Sequence, residues 1–122
     1  MNILLDTHTF LWHLQANQRL STKKSEIIEN KENKIYLSIA SLWEIAIKSS
    51  LGKLEINGSI NQLVPPEISI LEINTEHIEK LRKLPFHHRD PFDRLIIAQS
   101  IVEKLIILTE DGNFKFYDVA IL

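Results

Sequence analysis

Four short apolar runs, at residues 2–5, 35–38, 69–73 and 105–109, alternate with stretches whose apolar residues recur every three or four positions. No other feature constrains the fold as tightly. Parallel strands need a long crossover, usually a helix, so the alternation predicts an α/β fold with a mostly parallel central sheet covered on both faces. Phe10, Leu11 and Leu14 share one helical face after the first strand, and Ser21 opens a polar helix anchored by Ile27 and Ile28 that ends near Asn30 to Asn33. Residues 39–51 are apolar almost all round, which predicts a buried helix. Asn74 or Thr75 caps a helix carrying Ile78, Leu81 and Leu84 that Pro85 stops. Asp90-Pro91 starts another, with Phe92, Leu95, Ile96, Gln99 and Val102 on its repeat. Residues 52–66, with two glycines and a Pro-Pro pair, are the least regular and hold at most one helical turn near 60–64. Residues 119–122 are expected to add an edge strand, and Phe10, Trp12 and Trp43 to lie in the core.

Composition removes several classes of function. A length of 122 residues suits one domain, residues 1–122, with a core that needs no staples. The absence of cysteine excludes disulfide frameworks, thiol nucleophiles and Cys-based metal sites, and it fits a cytoplasmic protein. Only three glycines occur, in no GxGxxG or GxxxxGK[ST] pattern, so a glycine-rich phosphate cradle is excluded. No basic, apolar leader opens the chain and no apolar run approaches the ~18 residues of a membrane span, so no membrane association is expected. Fourteen basic residues against 16 acidic ones give a net charge of −2, which argues against binding nucleic acid through bulk positive charge.

The acids are placed more informatively than their number suggests. Asp6 and Asp111 directly follow the first and last apolar runs. Ligands of open α/β sheets bind outside the carboxyl ends of strands, so these two are expected to face one crevice. Glu44 and Asp93 lie in the opening turns of helices that start from the same edge, giving a candidate cluster of four carboxylates. Such a cluster takes up protons unless a cation neutralises it, and Mg²⁺ or Mn²⁺ suits an all-oxygen donor set. A divalent ion so held activates water and stabilises charge on a phosphoryl oxygen, a route to phosphodiester hydrolysis without a glycine loop.

Each acid also has a purely structural reading that the sequence leaves open. Asp6 can cap the helix starting at Thr7, Glu44 can close a capping box with Ser41 or pair with Lys48, and Asp111 can belong to a plain Asp-Gly turn. Asp90, just before Pro91, reads as a helix cap, with Asp93 as ligand or as its box partner. The five histidines lack the i, i+4 spacing of a zinc site. His87, His88, Arg89 and Arg94 form a basic patch beside Asp90 and Asp93, candidate RNA phosphate contacts or a solvated loop.

The segment from His87 to Gln99 (HHRDPFDRLIIAQ), read with LLDTH at 4–8, SIASLWEI at 38–45 and LTEDGNF at 108–114, resembles the PIN-domain family, and within it the VapC-like toxins of toxin-antitoxin pairs. The match spans nearly the whole chain in order. The resemblance implies a three-layer α/β/α fold, a Mg²⁺- or Mn²⁺-dependent endoribonuclease, a homodimer, and an antitoxin protein that blocks the site. It carries the metal and catalytic role onto Asp6, Glu44, Asp93 and Asp111, with Thr7 and Thr109 as nearby hydroxyls.

Two alternatives come from other classes. A receiver-like phosphoacceptor domain needs an acid pair after the first strand and a lysine after the last, whereas Leu5 precedes Asp6 and Glu110 follows Thr109. A haloacid-dehalogenase-type phosphatase needs a second acid where His8 stands. A PIN-like fold that only binds protein is the other alternative. Without the four proposed ligands, 14 bases face 12 acids, so the acid excess lies within the site and RNA affinity is expected to depend on metal.

Overall fold

The computed structural model describes all 122 residues. Strand β1 (Asn2–Leu5) leads into α1 (Thr7–Leu14) and α2 (Thr22–Glu29); β2 (Lys34–Ser38) leads into α3 (Ile39–Ser50) and a single turn, α4 (Ile60–Leu63). Strand β3 (Ile68–Leu71), helices α5 (Thr75–Lys83) and α6 (Pro91–Glu103), strand β4 (Ile106–Leu108) and a 3₁₀ turn at Gly112–Phe116 complete the chain. The strands form one parallel sheet in the order β3-β2-β1-β4. This order puts β1 between β2 and β4, unlike the 2-1-3-4-5 sheet of receiver domains.

Alternation along the strands builds two cores. Ile3, Leu5, Ile35, Leu37 and Leu108 face one layer with Phe10, Ile28, Leu42 and Ile45, while Leu4 and Ile107 face the other with Leu95–Ala98 and Phe114. The sheet is therefore covered on both sides, as a three-layer α/β/α arrangement requires. No helix is long and apolar enough to cross a membrane.

Three expectations need correction. Helix α3 is apolar all round but not buried all round: Trp43 is 57% exposed, Ile47 38%, and Leu51 just beyond it 63%. Its inner residues Leu42 and Ile45 meet the sheet, whereas Trp43 meets only part of its neighbours, including the edge of Phe92 at 5.1 Å. Residues 119–122 make one parallel bridge, Ile107 to Ile121, rather than a strand, held by backbone bonds from Ile107 to Ala120 and from Leu122 to Ile107. Strand β3 begins at Ile68, one residue before the alternating run, because Ile68 rather than Ser69 enters the core.

Candidate active site at the carboxyl edge of the sheet

The ends of β1 and β4 are tied together by one hydroxyl. Asp6 caps α1, its Oδ1 accepting from the Thr9 N–H at 2.8 Å, and its Oδ2 accepts from the Thr109 hydroxyl at 2.5 Å. The Thr109 Oγ1 in turn accepts from the Asp111 N–H at 2.9 Å, and Asp111 Oδ1 accepts from the Asn113 N–H to start the 3₁₀ turn. Asp6 is 3% exposed. Burial pushes its carboxyl above the usual range, against the opposing effect of the Thr109 and Thr9 hydrogen bonds and of nearby His8.

Glu44 enters from α3. Its Oε2 accepts from Lys48 Nζ at 2.9 Å, while Oε1 is buried without a hydrogen-bond partner. The capping box with Ser41 does not form. Ser38 caps α3 instead, and Ser41, one turn before Glu44, accepts from the Thr7 hydroxyl at 2.9 Å. Thr7 thus ties α1 to α3, and Ser41, offered by the sequence only as a box partner for Glu44, is a polar member of this region.

Asp93 enters from the first turn of α6, half-buried, with Asp90 as the helix cap accepting from the N–H groups of Phe92 and Asp93. Burial, then the charges of Asp90, Asp6, Glu44 and Asp111, raise the Asp93 pKa to about 8. The four proposed ligands therefore share one electrostatic field. No three carboxylate or imidazole groups stand in a closed set ready to hold one ion.

Donor chemistry nonetheless fits a hard divalent cation. The acids supply only oxygen, one buried Glu44 oxygen lacks any partner, and burial and neighbouring carboxylates raise the Asp93 pKa, a crowding that a cation would relieve. Asp6, Glu44, Asp93 and Asp111 would hold the ion. Thr109 and Lys48 currently occupy one oxygen each of Asp6 and Glu44.

The basic patch divides. His87 and Arg89 are exposed, but Arg94 is 5% exposed and turned inward, its Nη1 donating to the Pro85 carbonyl at 2.8 Å and to the Tyr117 hydroxyl at 3.2 Å. As an RNA contact, Arg94 is ruled out by this burial; it anchors the loop before α6. His88 is half-buried with Nε2 3.5 Å from Asp93 Oδ2. A cavity of about 510 Å³ lies at the opposite end of the sheet among Ile28, Ile35, Pro65 and Ile68, away from the four candidate ligands.

The class defined by this arrangement is an α/β protein with a buried acidic centre at the carboxyl ends of parallel strands. The PIN domain family matches residues 3–121, and the chain belongs to that family. Solved structures with the same fold include VapBC2 from Rickettsia felis bound to a DNA fragment from its promoter, at 15% identity over 100% of this chain and 98% of that one, with a TM-score of 0.75. A FitAB structure bound to an IR36 DNA fragment matches at 23% identity over 98% and 93%, TM-score 0.71. VapBC-1 from nontypeable Haemophilus influenzae matches at 14% identity over 100% and 97%, TM-score 0.65. No curated protein matches the sequence significantly.

Proposed function

We propose that this chain is a Mg²⁺- or Mn²⁺-dependent endoribonuclease of the VapC type, a cytoplasmic homodimeric toxin held in check by a small antitoxin protein. The observation that carries the reading is the placement of Asp6 and Asp111 just after β1 and β4, and of Glu44 and Asp93 in the opening turns of α3 and α6, at the carboxyl edge of one parallel sheet. The VapBC and FitAB complexes among the structural neighbours support the pairing with an antitoxin.

When bound, a divalent ion supplies an activated water and offsets charge on the phosphate. The chain's own residues do the rest. Asp6 is held in place by Thr109 and the start of α1, and Asp93 sits half-buried in the first turn of α6, where burial and neighbouring carboxylates raise its pKa. Exposed His87 and Arg89 are the remaining phosphate contacts proposed from the loop before α6.

Purified protein is expected to cut single-stranded RNA with Mg²⁺ or Mn²⁺, to stop with EDTA, and to lose roughly 100-fold or more of its rate in Asp6→Asn and Asp93→Asn. Cleavage that survives both substitutions rules the mechanism out. A second reading, a PIN fold that only binds protein, is favoured by the exposed Trp43, Ile47 and Leu51 beside Glu44. It predicts no cleavage with any divalent ion.

A further inference from the structure

The hydroxyl of Tyr117 receives more donors than any other side-chain oxygen near the site. The backbone N–H of His87 reaches it at 3.3 Å, that of His88 at 3.2 Å, and Arg94 Nη1 at 3.2 Å. A phenol oxygen has two lone pairs and one proton, so three converging N–H groups saturate it as an acceptor. Its own proton is left for the one remaining polar neighbour, His88 Nδ1, at 3.0 Å. His88 Nδ1 is thereby an acceptor, and the ring proton sits on Nε2.

That Nε2 is buried and has no hydrogen-bond partner, and Asp93 Oδ2 lies 3.5 Å away. An enclosed N–H that falls just short of a carboxylate is a group awaiting a small movement of that carboxylate. Its burial also separates His88 from exposed His87 and Arg89 as a direct RNA contact. Arg94 steadies the arrangement from behind, stacked 4.0 Å over the Phe86 ring and donating to the carbonyls of Leu84 and Pro85.

We infer that Tyr117 is a positioning residue for Asp93, acting through His88: the hydroxyl fixes the imidazole as an Nε2–H donor that orients the Asp93 carboxylate for a divalent cation. The inference rests on the reading of Asp93 as a ligand. It assigns the buried arginine and the C-terminal tyrosine a shared task in the site. Partners of this kind, one step behind a metal ligand, change metal affinity by about 10- to 100-fold.

The test uses the full chain. Long-range ¹H–¹⁵N spectra of the metal-free wild type, recorded with the imidazole neutral, should show the His88 proton on Nε2; the proton on Nδ1 overturns the inference without any variant. In Tyr117→Phe, which removes only the hydroxyl, the single tautomer should be lost and Mn²⁺ affinity, measured by calorimetry, should fall roughly 10-fold. In a His88→Ala background the same change should cost nothing further, because the route through the imidazole is already cut. An equal fall in both backgrounds shows a packing effect and overturns the inference. A wild type that binds no Mn²⁺ overturns it together with the metal site, whereas normal tautomer and Mn²⁺ binding without RNA cleavage overturns the nuclease reading alone.

Discussion

Helices α3 and α6 each carry one acid of the candidate site, yet they are buried in opposite ways. In α6 every residue from Arg94 to Ser100 is buried, including polar Gln99, whereas α3 is the more apolar helix and leaves Trp43, Ala46 and Ile47 facing outward. Hydrophobicity along a segment states how strongly it can be buried, not what is available to cover it. Helix α6 lies between the sheet and α5, with α3 alongside, so it is covered on several sides. Gln99 tolerates that position because its Oε1 accepts from the Ser38 hydroxyl and its Nε2 donates to the Glu72 carbonyl at 3.2 Å.

Truncation separates the two helices most strongly. Ile96 is fully buried within the α6 core, so Ile96→Ala should lower unfolding free energy by about 2–5 kcal/mol. Trp43→Ala, although it removes a larger side chain, should cost about 1 kcal/mol or less in the isolated chain, because more than half of that side chain is already in water. Urea unfolding of the two variants measures the difference. Equal losses would mean that α3 is covered in solution by something absent here, such as a second copy of the chain.

This contrast also marks where the sequence was readable. The strand–helix alternation, the cap at Asp90-Pro91 and the positions of Asp6 and Asp111 after apolar strands are local patterns, and the fold follows them. What escaped was settled by partners distant in sequence. Arg94 looks like a surface base until Pro85 and Tyr117 are brought to its guanidinium, and nothing local in the sequence pairs the Thr7 hydroxyl with Ser41. The 3₁₀ turn at Gly112–Phe116 hides in an Asp-Gly sequence that signals only a turn. Topology rules bring Asp6 and Asp111 to the same edge of the sheet, and the Lys48 partner of Glu44 is a local i, i+4 pattern; the Thr109 hydroxyl on Asp6 joins residues 103 apart and leaves no local signal.

Asp93 should make metal-free stability depend on pH. Asp93 has a folded pKa raised from 3.8 to about 8, so the folded state keeps a proton that the unfolded chain releases. The sign follows directly: metal-free stability is greatest at low pH in this window and falls as pH rises from about 4 towards 8, by at most about 1.4 kcal/mol per unit from this group. Buried Asp6 is shifted in the same direction and adds to the slope. Asp93→Asn should flatten the profile, and Mn²⁺ at neutral pH should restore stability to the wild type more than to the variant. Denaturant melts across that range check it; a profile unchanged by Asp93→Asn would place the repulsion elsewhere.

The smallest effect belongs to the one contact that already neutralises an acid on α3. Lys48 pairs with Glu44 one turn away, but its own side chain is 36% exposed, so the pair is screened and Lys48→Ala should change stability by about 0.5 kcal/mol or less. Its effect on the site should be opposite in sign. Lys48 donates to Glu44 Oε2, an oxygen that a cation needs, so removing the lysine releases that oxygen from a competitor. Mn²⁺ affinity measured by calorimetry should therefore hold or tighten in Lys48→Ala, the more so because the centre becomes more negative. Weaker binding in this variant would show that the Glu44–Lys48 pair orients the carboxylate for the ion, making the ordered side of α3 more important than its charge.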